Sequence, residues 1–389
     1  MKMIGLTVKE MGKIKEKKLA EGLFLLGWSL MVIHMYVAYS SLSAYSNSMV
    51  SAIALFFFLF KIIYTKYTAK EMIICSILML IGILTIRPSQ DMRVFWFALV
   101  IMAAKNVDLE KVIRITYRLT LICCSFFLIC FLLNISIDEM IYLENGKIRH
   151  GFGLGHPNAL QAYVLYIATM MIYVNYVRLK RWILVTLFFL SMITYYFTNS
   201  RTGIIITIII LATAWLIRFS SFNKLTRKGI RTGSFLYIAI FSLLPIIYFR
   251  YMNPVFSLLN SLLTNRISQA GYFYSAYGIK LFGFRPIELT YKKRYIYLDM
   301  GYEAMYINQG FIYFIIIVGS MLFLLHRYAK EKNDKRMLIL FSFILFLGPE
   351  NMATYIFLNV SMLFISELIF VSKPSKEVEK RNINTRIIS

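Results

Sequence analysis

The chain has 389 residues, 59% of them hydrophobic and only 16% charged, with a mean hydropathy of +0.66. A soluble domain of this length carries more charge and interrupts its apolar runs, so the composition excludes an ordinary globular enzyme and implies a polytopic α-helical membrane protein. The formal net charge of +24 does not point to nucleic acid, because the basic residues stand in short clusters between apolar runs, as cytoplasmic loops do under the positive-inside rule.

Other classes fall away on pattern. The run 204–210 does not alternate, as the strands of an outer-membrane barrel would. Cys75, Cys123, Cys124 and Cys130 all lie in apolar runs and have neither disulfide-framework nor metal spacing. The first twenty residues are basic, and no small-residue cleavage site follows the first apolar run, which therefore reads as an uncleaved signal anchor.

In chain order the hydropathy predicts twelve spans, near 22–41, 49–64, 71–86, 92–104, 115–134, 157–177, 182–198, 203–217, 234–249, 303–325, 337–347 and 352–372. The fold class expected is all-α, one integral membrane domain over 1–389 with a large extracytoplasmic loop at 251–300. With the N-terminus inside, the segments 1–20, 61–70, 105–118, 178–181, 218–231, 326–336 and 373–389 hold 31 of the 43 Lys and Arg residues. This asymmetry predicts that both termini are cytoplasmic. The unusual polar segments then all face outward: 87–91, 135–156, 199–203, 251–300 and 348–351.

Each outward segment carries candidate chemistry beside an ordinary alternative. Gly151-Phe152-Gly153-Leu154-Gly155-His156-Pro157-Asn158 has three alternate glycines for close backbone approach and a proline suited to a first helical turn. His156 is then either a helix cap or a substrate contact. Asn199-Ser200-Arg201-Thr202-Gly203 breaks about 36 apolar residues into two antiparallel spans. Arg201 there is a snorkelling turn residue or, since a charge at such depth costs ~2.5–3.5 kcal/mol, a pyrophosphate ligand assisted by the following helix N-terminus. The stretch 254–263 predicts a short interfacial helix, which would put Arg266 at headgroup height, as a lipid anchor or a catalytic-site residue. Lys292-Lys293-Arg294 reads as an anionic-lipid patch. Asp299 and Tyr302 share a face if a helix starts near Asp299, where Asp299 could equally be its N-cap. Glu350 lies in the Gly348-Pro349-Glu350-Asn351 turn. No acidic pair supports a metal, and no nucleotide-binding motif is present.

Taken in order, Gly155-His156-Pro157-Asn158, Asn199-Ser200-Arg201-Thr202-Gly203, Thr264-Asn265-Arg266 followed by Leu281-Phe282-Gly283, and Asp299-x-x-Tyr302 before Gly310 resemble the Wzy-type polysaccharide repeat-unit polymerases, relatives of the O-antigen ligases. The resemblance covers roughly 150–350. It implies a GT-C-like fold and metal-independent glycosyl transfer without a cofactor. It also implies arginines that bind the diphosphate of undecaprenyl-diphosphate-linked oligosaccharides, here Arg201 and Arg266. Asp299 stands where the ligases show a His-Asn pair, so the base is open among Asp299, His156 and Glu350. Asn158, Tyr302 and Arg285 are further candidate substrate contacts. The partners implied are membrane lipid and the flippase and chain-length regulator of the same capsule, exopolysaccharide or O-antigen pathway. Two alternatives remain: a ligase using the same chemistry on another acceptor, and a transporter of lipid-linked oligosaccharide, for which His34, Asn175 and Glu367 are the mid-span polar candidates.

Overall fold

The computed structural model describes residues 8–46, 48–143, 146–248, 254–285, 289–291 and 294–370. Over these residues the regular structure is helical apart from two short antiparallel hairpins. One pairs β1 (Ile141–Tyr142) with β2 (Ile148–Arg149), the other β3 (Leu289–Tyr291) with β4 (Arg294–Ile296).

Eight helices are long and apolar enough to cross a membrane. They are α1 (Val8–Ala38), α3 (Ala69–Ser89), α5 (Leu109–Leu132), α6 (Pro157–Asn175), α7 (Arg181–Thr198), α8 (Arg201–Phe219), α9 (Asn223–Tyr248) and α13 (Phe311–Lys330). Their outer faces are apolar: on α3 alone, Ile73, Ile77, Leu80 and Ile83 are exposed. A surface of that kind is unfit for water and suits lipid.

The remaining four expected spans are shorter. α2 (Ser48–Ile63) has 16 residues, α4 (Arg93–Ala103) has 11, and α14 (Asp334–Leu347) has 14. The last is a 3-10 segment, Val360–Ile365, running into α15 (Ser366–Ile369). Nearly every residue of α14 is buried, so its apolar run fills the interior of the bundle. Twelve runs of near-span hydropathy thus become eight full-length helices plus short ones, because an apolar run looks alike whether protein or lipid covers it.

Local chemistry sets the helix ends. Thr68 and Glu71 form a capping box on α3, and Asp108 caps α5. Asn199, left-handed at φ 47°, ends α7, and Ser200 alone separates it from α8. The expected antiparallel pair with a tight turn is therefore present. The stretch 251–300 is more ordered than a loop. It contains α10 (Pro254–Leu262), α11 (Arg266–Tyr277) and the second hairpin. After it come α12 (Gly301–Ala304) and a π-helical turn at Met305–Gln309 that stops at Gly310, φ 102°.

The charged loops sort to two ends of the bundle. At the basic end, Lys105 pairs with Glu71, Lys111 with Glu21 at 3.1 Å, Lys335 with Glu110, Arg227 with Asp334 at 2.6 Å, and Arg336 with Glu367. At the other end, the Arg285 N–H donates to the Pro88 carbonyl at 2.9 Å, Ser41 to Gly153 at 3.2 Å, and Arg149 Nε to the Thr198 carbonyl at 2.6 Å. Thr202 and Arg266 both donate to Glu350 there. These groupings match the two sets of loops separated by counting charges. α1 joins the ends, with Glu21 at the basic one and Tyr39 just past its last residue at the other, ~27 Å apart at 1.5 Å per residue.

Candidate functional site

The site is assembled from four groups of residues. The first is the glycine-rich loop before α6. Gly153 and Gly155 have φ of 76° and 75°, and a Cβ on Gly155 would overlap the Tyr39 carbonyl oxygen. Only glycine permits both the left-handed backbone and that approach. Asp138 ties the loop down: its Oδ1 accepts from the Gly151 and Phe152 N–H groups, both at 2.8 Å, and its Oδ2 lies 2.6 Å from His150 Nδ1. The loop delivers His156 as the N-cap of α6, followed by Pro157 at its first position.

His156 Nδ1 accepts from the Asn158 N–H at 3.1 Å. In the neutral imidazole the proton then sits on Nε2, so this ring offers a donor and no free acceptor. Burial within the site, the charge of Arg149 and, more weakly, that of Arg266 push its pKa below 6.5; Asp299 opposes them. His156 is thus both the helix cap and a hydrogen-bond donor, and is unsuited to the role of base.

The second group supplies Arg149, from β2. Its Nη2 donates to Asn158 Oδ1 and its Nε to the Thr198 carbonyl. Burial and the neighbouring Arg266 charge lower its pKa from the ordinary arginine value, partly offset by Glu350. Two guanidinium groups therefore feel each other here, an arrangement that favours an anion.

The third is the start of α8. Arg201 is its first residue, exposed and without an ion pair among the described residues. Ser200 gives no side-chain cap, so the first-turn N–H groups stay available to an anion. Thr202 Oγ1 donates to Glu350 Oε1 at 3.4 Å. Gly203 lets the helix approach α6, since a Cβ there would overlap the Gln161 side chain.

The fourth brings Arg266, Asp299 and Glu350 together. Arg266 opens α11 behind a left-handed Asn265, φ 64°. Its Nη1 donates to Glu350 Oε1 at 2.7 Å and to the Pro349 carbonyl, and its Nε lies 3.6 Å from Asp299 Oδ2. Burial alone would lower the pKa of Arg266; Glu350 and Asp299 outweigh it and raise that pKa above the ordinary value. For Glu350, burial and the Asp299 charge outweigh Arg266, so its carboxyl sits above the ordinary carboxylate range. A carboxyl raised in this way is better matched to taking up a proton than a surface carboxylate.

Among the expected site residues, His156, Asn158, Arg266, Asp299 and Glu350 meet here. Arg201 adjoins them through Thr202. Two expectations are corrected. Tyr302 is fully buried and its hydroxyl donates to the Ile344 carbonyl at 2.7 Å, so it packs the core and does not face the site. Met300, not Asp299, holds the N-cap position of α12, which leaves Asp299 outside the helix and half-exposed. Arg285 lies in a separate cleft, where it donates to Gln90 Oε1. Lys292 and Lys293 lie outside the described residues. Arg149 lies in the outward segment 135–156 but is not among the candidates read from sequence. Its position two residues ahead of Gly151 was the available signal.

Comparison with known proteins returns no matching family model, no curated relative and no solved structure.

Proposed function

We propose that the protein polymerises undecaprenyl-diphosphate-linked oligosaccharide repeat units at the outer face of the bacterial cytoplasmic membrane, with its basic end and both termini in the cytoplasm. The observation that carries this reading is the convergence of Arg149, His156, Arg266, Asp299 and Glu350, beside the uncapped start of α8, in a chain built from membrane-length helices. Such a site accepts a diphosphate and holds a carboxyl ready for a proton, with no nucleotide or metal involved.

In the proposed reaction an acceptor sugar hydroxyl attacks the anomeric carbon of the donor glycan. The bond from that carbon to the diphosphate oxygen breaks, and the hydroxyl proton passes to Glu350 or Asp299. Arg149, Arg201, the Nε2–H of His156 and the α8 N–H groups take the negative charge that develops on undecaprenyl diphosphate. Arg266 holds the two carboxylates in position. Binding both lipid-linked substrates on one surface supplies the proximity term.

The test is reconstitution with purified lipid-linked repeat units. Wild type should give a ladder of chains that stay on undecaprenyl diphosphate. Arg201→Ala, which removes an exposed side chain, should insert normally and slow ladder formation by ~10²-fold. Chains transferred to a different acceptor would make the protein a ligase. An undiminished ladder from Arg201→Ala would remove that residue from the mechanism.

A further inference from the structure

A second cleft, of about 610 Å³, opens at the same end of the bundle between α1, α2, the α3–α4 turn and the segment after α14. Its volume is that of a small-ligand site, about 300–1,000 Å³. Its walls are partly rigid. Arg93 pairs with Asp91 at 3.0 Å, donates to Asn351 Oδ1 at 2.6 Å and to Thr354 Oγ1 at 2.7 Å, and lies 3.9 Å over the Tyr355 ring. The same cleft also offers polar groups that no described residue engages. Asn308 Oδ1 is buried in its wall without a hydrogen-bond partner among the described residues. The His34 imidazole and the Trp96 indole N–H make no hydrogen bond among the described residues. Arg285 reaches the cleft from the far side, tethered to the Pro88 carbonyl and Gln90.

Aromatic rings beside scattered donors and acceptors, with little net charge, match a sugar. The ring C–H face of a saccharide lies on an aromatic side chain such as Trp96, and its hydroxyls pair with groups such as Asn308, His34 and Arg285. A diphosphate would need less acid and more free cation than this cleft has. A lipid tail would need fewer polar groups.

We propose that this cleft is a saccharide-binding site. On the polymerase reading above, on which this second part rests, it holds the sugar end of one of the two lipid-linked substrates. The link to the charged site is direct: Asn351 accepts from Arg93, its Nδ2 donates to the Leu298 carbonyl at 3.1 Å, and it lies next to Glu350, as Leu298 does to Asp299. The cleft wall is thus joined, through Arg93 and Asn351, to the two segments that carry the carboxylates.

The probe is the free oligosaccharide repeat obtained by hydrolysing the producing strain's own surface polysaccharide. It is titrated against the full-length protein in nanodiscs, read by tryptophan fluorescence, with the ladder assay run in parallel. Saturable binding is expected, with the signal lost in Trp96→Phe. The dissociation constant and the ladder KM should both rise roughly tenfold or more in His34→Ala/Arg285→Ala, which removes two side chains that carry no core packing. Ladders from wild type without binding, or binding and KM unchanged in the double variant, would overturn the cleft assignment and leave the polymerase reading standing. Binding that the double variant weakens, with no ladder from wild type, would uphold the saccharide site and overturn its place in polymerisation.

Discussion

Arg266 Nη1 stands 2.7 Å from Glu350 Oε1, and both groups are almost wholly removed from solvent. The pair joins the start of α11 to the turn after α14, so the geometry of the site and the stability of that end of the bundle depend on the same contact. Removing one partner from a buried pair leaves an uncompensated charge. Arg266→Ala should therefore lower stability by ~3–5 kcal/mol. Glu350→Leu added to it should recover more than half of that loss. A double-mutant cycle from denaturation in mild detergent measures the coupling. Additive losses would mean that the contact contributes no coupling to the fold.

His156 links pH to the site. Its folded pKa is depressed below 6.5, so the neutral ring's contribution is complete above that value and is lost as pH falls through the depressed one. Protonation turns Nδ1 into a donor and breaks the bond from the Asn158 N–H. His156→Asn keeps a capping acceptor that does not titrate. Melting curves at stepwise pH should show the variant gaining on wild type as pH falls from 6.5 towards 5, with the two parallel above 7. Parallel behaviour throughout would mean that the ring is not held neutral by its surroundings.

The glycines differ in what they do. Gly155 combines φ 75° with a backbone approach to Tyr39, whereas Gly146 has φ 77° and nothing within 4 Å. Gly146→Ala should cost only the strain of a left-handed residue, ~1–2 kcal/mol, and spare activity. Gly155→Ala must also displace the loop that delivers His156, and should abolish activity even where folding survives. Gly229→Ala, in a helix with open space around it, should stabilise by ~0.5–1 kcal/mol. Thermal melting and the ladder assay on the three variants check the ranking.

Glu303 is fully buried, and neither carboxyl oxygen has a hydrogen-bond partner among the described residues. Burial pushes its pKa well above the ordinary carboxylate value, which favours the neutral acid. Glu303→Gln, close in shape and neutral, should change stability and polymerisation little. If transport of a lipid-linked sugar were coupled to protons through this group, the same change would abolish it, so the variant separates the two readings. Of the transport candidates named from sequence, Glu367 is paired with Arg336 at the basic end, Asn175 bonds back to the Met171 carbonyl, and His34 lines the second cleft.

Charge asymmetry and glycine chemistry were legible in the sequence because each rests on a local rule. Counting Lys and Arg separated the loops that the structure gathers at two ends, and the alternate glycines before Pro157 do hold a closely packed loop. Tyr302 was misread because a tyrosine beside a motif aspartate looks the same whether its hydroxyl meets substrate or the Ile344 carbonyl. Arg149 was missed because its neighbours, Asn158 and the Thr198 carbonyl, come from segments that only tertiary packing brings near. The α14 run joins the two ends of the bundle inside protein, a setting that hydropathy does not distinguish from lipid.

The central claim is that the end of the bundle holding Arg149, Arg201, His156 and the start of α8 binds a lipid diphosphate. Electron cryo-microscopy of the full-length protein in nanodiscs loaded with undecaprenyl diphosphate tests it most directly. Diphosphate density within hydrogen-bond reach of Arg149 and the first-turn N–H groups of α8, weakened in Arg149→Ala, is the expected result. Density confined to the basic groove around Arg227, Lys228 and Arg231, with the Arg149 site empty, would contradict it.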